Sequence, residues 1–316
     1  MKHASTLLKA AVLFAALFIT ACTSNTKKDK ILLEDELEMP EPSFIERAGK
    51  WGCIDEEGSE VVSFRYDGTQ GFFFEGYAAV QLNNKWGYID KAGNEVVPLK
   101  YDDVAGLFLE GLTAVQLNDK WGFVDKAGNE VIPLKYDGAG LFIEGIACVQ
   151  LSGKYGYIDK TGKVIIPLKY DYADSFIEGI ACVQLSGKYG YIDKTGNNVI
   201  PLKYDDIKNL FLEGLAAVQL NNKWGYIDRM GNEVVPLKYD DASLFMEGFA
   251  CVQLNDKYGY IDKTDSELIP FKYDFAWVFS NGIARVELDG KILYINKQGD
   301  EYATMEEAQK AVDKIE

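Results

Sequence analysis

Histidine and positive charge are what this sequence has least of. Among 316 residues there is one histidine, His3, and 33 lysines and arginines stand against 49 aspartates and glutamates. The histidine lies in a segment that we expect to be removed. The mature chain would then have no imidazole for Ser-His-Asp or Cys-His catalysis, or for a zinc or iron site. The acidic balance argues against nucleic acid as a partner, because phosphate binding depends on clustered Lys and Arg.

The composition is otherwise that of a folded protein. Hydrophobic residues make up 47% of the chain and charged residues 26%. This is too apolar for a disordered chain and too charged for a protein with several membrane spans. The length alone would suggest two ordinary domains, but internal repetition points to a different organisation.

The first 21 residues have the character of a targeting segment. Two lysines give it a positive start, and the apolar run over residues 10–19 is too short to span a bilayer as a mature helix. The sequence Ile-Thr-Ala-Cys at residues 19–22 resembles the lipobox of bacterial lipoproteins. The resemblance implies a signal peptide over residues 1–21 and a lipid on Cys22. A plain secretory signal with an incidental cysteine is the alternative.

A lipid on Cys22 would make the membrane a partner of this chain. Each buried CH₂ group of an acyl chain stabilises membrane binding by about 0.8 kcal/mol. Cleavage after residue 21 would remove two lysines and no acid, and would take the formal charge from −16 to −18. We therefore expect a bacterial envelope protein on the periplasmic face of the outer membrane or on the cell surface. Residues 22–42 would form its acidic tether.

From about residue 43 the chain is one internal repeat. A Lys-aromatic-Gly marker recurs every 34 or 35 residues, and a degenerate eighth copy begins at Lys291. The seven full markers begin at Lys50, Lys85, Lys120, Lys154, Lys188, Lys223 and Lys257. Over residues 43–299 the chain resembles the WG-repeat family, named for its Trp-Gly pair. The resemblance implies a β-rich repeat module that is often exported and generally has no assigned activity.

Each repeat has the pattern of strands joined by tight turns. In one copy the strand-like runs 216–220 and 224–228 are separated by Asn221-Asn222. Asn, Asp and Gly tolerate positive φ, so this pair predicts a two-residue hairpin turn. The Asp that ends the second run is followed three residues later by Gly, which predicts a turn with a bulge. With a third strand after it, the unit is predicted as a three-stranded meander that returns irregularly through Phe-x-Glu-Gly.

The Trp-Gly pair is predicted to serve packing. Glycine weakens a strand unless something approaches its backbone, and an aromatic ring is the usual visitor. In the eighth copy Ile292 and Leu293 replace the ring and the glycine together. We therefore expect the glycine to make room for a ring, whereas solvent-facing rings would favour ligand binding. A second column is expected in the core between repeats: Phe73, Phe108, Phe142, Phe176, Phe211, Phe245 and Phe279.

Two acidic columns are predicted to be structural, with no metal site, catalytic residue or cofactor. The aspartates are explained as turn formers, and calcium-binding β-repeats have a far shorter period. A glutamate repeated in one environment does not provide the two different carboxylates of acid–base catalysis. The aspartates are Asp55, Asp90, Asp125, Asp159, Asp193, Asp228 and Asp262. The glutamates are Glu75, Glu110, Glu144, Glu178, Glu213 and Glu247.

The four cysteines beyond Cys22 are predicted to be free thiols. Three of them, Cys148, Cys182 and Cys251, share a column in which other repeats carry alanine. A cysteine that alternates with alanine behaves as a small apolar residue. A bridge between equivalent positions of successive repeats is disfavoured by distance, although one between Cys148 and Cys182 stays open as an alternative.

The predicted fold is all-β: an open, superhelical, solenoid-like array of tandem repeats with a C-terminal capping helix. A closed β-propeller is the alternative. The helix is predicted within residues 300–316, because Thr304 begins a capping box. Its expected apolar stripe consists of Met305, Ala308, Val312 and Ile315.

The leading functional hypothesis is a non-catalytic, lipid-anchored scaffold that presents a long surface to a protein partner. The alternative is a glycan-binding or cell-wall-binding protein that uses exposed aromatic rings. An enzyme would need catalytic residues at positions that break the repeat. Trp277 and Arg285 do break it, but they form no catalytic set.

Overall fold

The computed structural model describes residues 42–314, apart from the side chain of Asn209. The predicted signal peptide, Cys22, the tether up to residue 41 and Ile315 lie outside the described residues. The described chain forms 31 strands and one helix, α1 (Met305–Val312). Among these residues no helix is long and apolar enough to cross a membrane.

The strands form eight antiparallel sheets that follow one another in chain order. The first sheet contains β1 (Ser43–Arg47), β2 (Lys50–Ile54) and β3 (Glu60–Tyr66). The second contains β4 (Gly68–Thr69), β5 (Tyr77–Leu82), β6 (Lys85–Asp90) and β7 (Glu95–Tyr101), and the third β8 (Asp103–Val104), β9 (Leu112–Leu117), β10 (Lys120–Asp125) and β11 (Glu130–Tyr136). The fourth contains β12 (Gly138–Ala139), β13 (Ile146–Leu151), β14 (Lys154–Asp159) and β15 (Val164–Tyr170), and the fifth β16 (Tyr172–Ala173), β17 (Ile180–Leu185), β18 (Lys188–Asp193) and β19 (Asn198–Tyr204).

The last three sheets repeat the same order. The sixth contains β20 (Asp206–Leu212), β21 (Leu215–Leu220), β22 (Lys223–Asp228) and β23 (Glu233–Tyr239). The seventh contains β24 (Asp241–Ala242), β25 (Ala250–Leu254), β26 (Lys257–Ile261) and β27 (Glu267–Tyr273), and the eighth β28 (Phe275–Ala276), β29 (Ile283–Leu288), β30 (Lys291–Asn296) and β31 (Glu301–Tyr302).

The repeat has one strand more than the three that were predicted. Between each pair of successive sheets the chain forms a further strand, usually of two residues, which pairs with the hairpin of the next sheet, as β4 pairs with β5. The return through Phe-x-Glu-Gly is also ordered as a turn. In the second sheet Phe74 and Tyr77 exchange backbone hydrogen bonds across Glu75-Gly76, and both turn residues have positive φ.

The two predicted turn types are confirmed. Asn83 and Asn84 have φ of 52° and 60° in the first hairpin of the second sheet, as a two-residue turn of this kind requires. In the next turn Gly93 has φ of 81°. The carboxylate of Asp90 accepts hydrogen bonds from the backbone N–H groups of Ala92 and Asn94, which fixes the turn locally.

The apolar core lies between sheets. Seven clusters of buried side chains each join one sheet to the next. Tyr88 of the second sheet and Phe108 of the third meet there with their ring centroids 4.8 Å apart. Within residues 42–314 no cluster joins the eighth sheet to the first, so the array is open, as predicted. The predicted phenylalanine column is part of this core, although Phe211 is only partly buried.

The prediction that the glycine makes room for a ring is wrong for six of the seven full copies, in which the three atoms nearest to an added Cβ are all backbone. In the first sheet a Cβ on Gly52 would meet both the Val62 oxygen at 2.6 Å and the Phe64 ring at 2.9 Å. A Cβ on Gly87 would lie 2.5 Å from the backbone oxygen of Val97 and 2.9 Å from the backbone of Pro98 and Leu99. The register between β6 and β7 shifts here, because Trp86 pairs with Tyr101 while Tyr88 pairs with Val97. The third strand therefore arches over the bare backbone of the glycine.

Helix α1 packs against the eighth sheet. The predicted capping box is present: the Thr304 hydroxyl accepts from the Glu307 N–H, and the Glu307 carboxylate accepts from the Thr304 N–H. Ala308 is buried, and Val312 would contact a Cβ placed on Gly282. The helix thus covers part of the last sheet.

Candidate binding surfaces

One edge of the array is held together by Lys–Asp pairs. In each of the first seven sheets the marker lysine binds the aspartate that begins the next repeat, as Lys85 binds Asp102. The same carboxylate accepts the N–H of Asn118 in the hairpin turn of the next sheet. The Lys85 ammonium and then this N–H lower the pKa of Asp102. We call the edge that carries these pairs and the hairpin turns the hairpin edge. Seven such Lys–Asp pairs link the eight sheets along it.

The opposite edge, which we call the corner edge, carries the glutamate column. The carboxylate of Glu144 accepts the N–H of Gly179 at 3.0 Å and binds Lys194 at 2.9 Å, both in the next repeat. For the equivalent Glu213, burial would raise the pKa, but the Gly248 N–H and the Lys263 ammonium outweigh it, and the pKa is lowered. The glutamates therefore connect repeats.

The other candidate residues are also structural. In the part of the chain that the structure describes, no group of three or more His, Cys, Asp or Glu side chains is placed to hold a metal ion. Cys53, Cys148, Cys182 and Cys251 are free and buried. Burial raises the pKa of Cys53 and Cys148 to about 12, so these thiols stay protonated and unreactive. A cleft beside α1 is lined by the paired side chains of Glu247 and Lys297.

A row of four neighbouring residues crosses each inner sheet near its hairpin turn. In the second sheet Gly68, Gln81, Trp86 and Tyr101 are direct neighbours on four adjacent strands. The same arrangement recurs in every sheet from the second to the seventh, and we call it the amide–aromatic row. Its members are a variable residue, a glutamine, the marker aromatic and a tyrosine. The other five rows begin at Asp103, Gly138, Tyr172, Asp206 and Asp241.

The glutamines of the six rows are half-buried. Among the described residues their side-chain amides have no hydrogen-bond partner. A primary amide has two donor hydrogens and an acceptor oxygen. The rows therefore present a periodic line of neutral hydrogen-bonding groups: Gln81, Gln116, Gln150, Gln184, Gln219 and Gln253.

The marker rings are neither fully buried nor solvent-facing. Each packs against an apolar cluster between sheets, as Trp86 and Trp121 do, which agrees with the predicted packing role. Trp224 and Tyr258 are buried, but the other five rings are half-buried and keep part of their surface accessible. A ring can thus stabilise the array and still present an edge beside its glutamine.

The aromatic rings form their most continuous surface in the fourth and fifth sheets. Tyr172 is 36% exposed and lies between the marker rings of two successive sheets. Its centroid is 6.2 Å from that of Tyr155 and 6.3 Å from that of Tyr189. Gln184 is the cross-strand neighbour of both Tyr172 and Tyr189. We call Tyr155, Tyr172 and Tyr189 the tyrosine segment. Its rings form an uninterrupted aromatic surface with the amide of Gln184 at its centre.

The outer face of the eighth sheet carries a second exposed cluster. Phe275, Trp277 and Ile292 are 41%, 37% and 47% exposed. The rings of Phe275 and Trp277 meet at 4.4 Å, and the Arg285 guanidinium lies 4.4 Å from the centroid of the Trp277 ring. We call Phe275, Trp277, Val278, Arg285 and Ile292 the end-face cluster. It occupies the face that a further repeat would cover, and α1 leaves it exposed.

Sequence reasoning identified two residues of the end-face cluster as positions that break the repeat, but it did not predict either surface. Trp277 and Arg285 were identifiable because they break the repeat, and the structure brings them into contact. The rows were not predicted. A signal for them exists, because a two-residue turn at Asn83-Asn84 places Gln81 directly opposite Trp86.

Comparison with known proteins agrees with the repeat organisation. Seven consecutive segments match the model of the family described as WG containing repeat, at residues 51–86, 86–121, 121–155, 155–189, 189–224, 224–258 and 258–291. No curated protein matches the sequence.

Several solved structures are similar at low identity. A crystal structure of the eukaryotic initiation factor is 11% identical, with a TM-score of 0.49 over 82% of this chain and 83% of that chain. Kluyveromyces lactis Hsv2p is 10% identical, with a TM-score of 0.41 over 69% and 88%. PorZ of Porphyromonas gingivalis, a bacterial surface component of the type-IX secretion system, is 10% identical, with a TM-score of 0.33 over 79% and 40%. Values this low carry no argument about function.

Proposed function

The chain belongs to the WG-containing repeat family, and from this premise we propose that it is a non-catalytic, lipid-anchored scaffold of the bacterial cell envelope that binds a protein partner. Membership of this repeat family indicates a binding or scaffold role. The absence of catalysis is supported by the use of the repeated acids: the turn aspartates cap their own turns, and the glutamates bind the next repeat.

The observation that carries the proposal is the end-face cluster. Exposed apolar patches on soluble domains mark sites of interaction, and Trp, Tyr and Arg are enriched among the residues that dominate protein interfaces. Trp277 and Arg285 are such residues, and they replace the small or polar residues Ser243 and Cys251 of the preceding sheet. The last repeat thus departs from the others by adding the side chains that a protein interface uses.

Site-specific photo-crosslinking tests the protein-binding surface. A photoreactive residue at position 278 should crosslink one defined envelope protein in living cells. Trp277→Ala should abolish that product, because it removes the ring at the centre of the cluster. The control is the same photoreactive residue at Met230, which is 75% exposed far from the cluster in sequence. Equal products at both positions, or none at position 278, would contradict the proposal.

The anchor is tested by lipid labelling. Wild-type protein should incorporate labelled palmitate and partition into detergent, because a diacylglyceryl group on Cys22 would hold it to the membrane. Cys22→Ala should lose the label and leave an unprocessed or released protein. A soluble, unlabelled mature wild type would refute the anchor without affecting the proposal for the end face.

A further inference from the structure

We propose that the amide–aromatic rows form a second binding site, for a neutral, extended, β-linked polysaccharide, centred on the tyrosine segment. The centre of this site lies in the fourth and fifth sheets, whereas the end-face cluster lies in the eighth. The line of rows reaches that cluster, because Phe275 and Ile292 occupy the row positions of the eighth sheet and Phe275 lies 5.2 Å from the ring of Tyr258.

The chemistry of the rows fits sugar rings. A pyranose presents C–H groups on its faces and hydroxyls around its rim. The accessible ring surfaces of Tyr155, Tyr172 and Tyr189 can contact the C–H groups, because an aromatic face attracts positively polarised hydrogen. The free amides of Gln150 and Gln184 can both donate to and accept from hydroxyls. The rows thus supply apolar contact and neutral hydrogen bonding side by side.

The charges around the tyrosine segment favour a neutral ligand. The nearest marker lysines, Lys154 and Lys188, are already bound to Asp171 and Asp205. Lys169 and Lys203 lie over the row tyrosines Tyr170 and Tyr204, 5.1 Å and 5.0 Å from the ring centroids. The carboxylate of Asp174, which accepts the Tyr172 hydroxyl at 2.6 Å, adds a negative charge at the centre of the segment. The whole chain has a formal charge of −16, which repels polyanions. An uncharged polysaccharide satisfies both conditions.

The periodicity favours a polymer with a repeating unit. Sheets that pack face to face lie about 10 Å apart, which is comparable to the length of a disaccharide in an extended β-linked glycan. Each sheet from the second to the seventh presents the same glutamine, and the second to the fifth also present a half-buried marker ring. A peptide of varied sequence would meet identical sites with different side chains, whereas a glycan would meet each row with the same groups. We therefore assign the rows to glycan and not to peptide.

Natural variation between rows provides substitutions that the fold accepts. The position of Tyr172 is occupied by Asp206 in the next sheet, and the position of Gln184 is occupied by Glu287 in the eighth. Tyr172→Asp and Gln184→Glu should therefore leave the sheets intact. Tyr172→Asp removes the ring that joins Tyr155 to Tyr189, and Gln184→Glu removes the amide donor at the centre of the segment.

The experiment is calorimetric titration of the whole mature chain with chitohexaose, cellohexaose and the corresponding disaccharides. We expect at least one hexasaccharide to bind, and to bind at least tenfold more tightly than its disaccharide, because it spans several rows. Tyr172→Asp and Gln184→Glu should each weaken binding at least tenfold. Trp277→Ala should bind the glycan like wild type while losing the crosslinked protein, so the two proposals fail independently.

Three results would overturn the glycan site. The first is that wild type binds neither hexasaccharide. The second is that binding is unchanged in both row variants while their melting temperatures match that of wild type. The third is that an extended peptide binds the wild type and loses affinity in both variants, which would assign the rows to a protein ligand.

Discussion

The seventh and eighth sheets share one hairpin but differ in what covers them. In the seventh, Cys251 and Tyr260 are buried against the sheet that follows. Their equivalents in the eighth are Arg285, which is exposed, and Tyr294, which is half-buried. The strand pairing is the same in both. The neighbouring sheet, and not the hairpin itself, therefore determines which residues each position needs.

The same comparison explains why ring and glycine disappear together in the last copy. In the seventh sheet a Cβ on Gly259 would lie 2.8 Å from the Ile269 oxygen, because β27 arches over it. In the eighth sheet β31 has only two residues and pairs with Tyr294 and Ile295. Since no arch forms there, Leu293 is accommodated.

The largest difference between an inner sheet and the end sheet should come from the buried tyrosine. Tyr226→Ala should lower the free energy of unfolding by about 3–5 kcal/mol, because it leaves a large cavity between sheets. It also removes the contact with Phe245 at 4.7 Å and the hydrogen bond to the Ser243 carbonyl. Denaturant titration measures the loss. The matched control is Tyr294→Ala, which should lower the free energy of unfolding clearly less, because no sheet of the described chain covers Tyr294. Equal losses in the two variants would mean that the neighbouring sheet does not determine the loss.

A smaller effect is expected from adding one methyl group under the arch. Gly122→Ala should destabilise by about 1–3 kcal/mol, because the new Cβ would lie 2.5 Å from the Ile132 oxygen. Gly140→Ala is the control: its nearest neighbour would be 3.5 Å away, and its φ is not positive. Thermal and denaturant melts should place the control close to wild type. A neutral Gly122→Ala would contradict the steric explanation of the Trp-Gly pair.

The smallest effect concerns the Lys–Asp pairs, which are exposed and therefore individually weak. Lys188 and then the Asn221 N–H lower the pKa of Asp205 below its ordinary value of about 3.9. A lowered folded-state pKa contributes stability above the unfolded pKa, and this stability is lost as pH falls through the folded pKa. Melting temperature should therefore fall below about pH 4.

Two lysine variants sharpen this acid test. Lys188→Met should melt slightly below wild type at pH 6, and the difference should shrink as the pH falls below about 4, because protonation of Asp205 removes the charge pair. Lys291→Met should follow wild type throughout, because Lys291 in the end sheet has no aspartate at the equivalent position, which is Ala308. A difference for Lys188→Met that stays constant as the pH falls would show that Lys188 acts through packing instead of charge.

Much of the fold was predictable because its signals are local. The pair Asn221-Asn222 fixes a hairpin through residues that tolerate positive φ, and the structure gives both φ above 50°. The acidic columns could be assigned to structure for the same reason, since each Asp or Glu recurs in one environment. The open array was predicted from a complete first unit and from the helix after the last hairpin, because an open array needs a cover over its exposed end.

The rest depended on contacts that no single repeat encodes. Strand β4 has two residues, Gly68 and Thr69, which carry no hydropathy pattern and form a strand only because β5 is beside them. The group that packs over the backbone of Gly87 could not be identified without the register shift between β6 and β7. The partial exposure of the marker rings depends on how closely successive sheets approach.

Seven core clusters for eight sheets also have an evolutionary consequence. Every sheet has two faces, and within residues 42–314 only the faces at the two ends lack a neighbouring sheet. Duplicating one whole period inside the array would add two covered faces and no uncovered one, so stability per repeat should rise with the number of repeats. A gain of half a period would break the pairing on both sides. The array can therefore lengthen or shorten only in whole units, and selection on such units can tune the number of rows it displays without redesigning any of them.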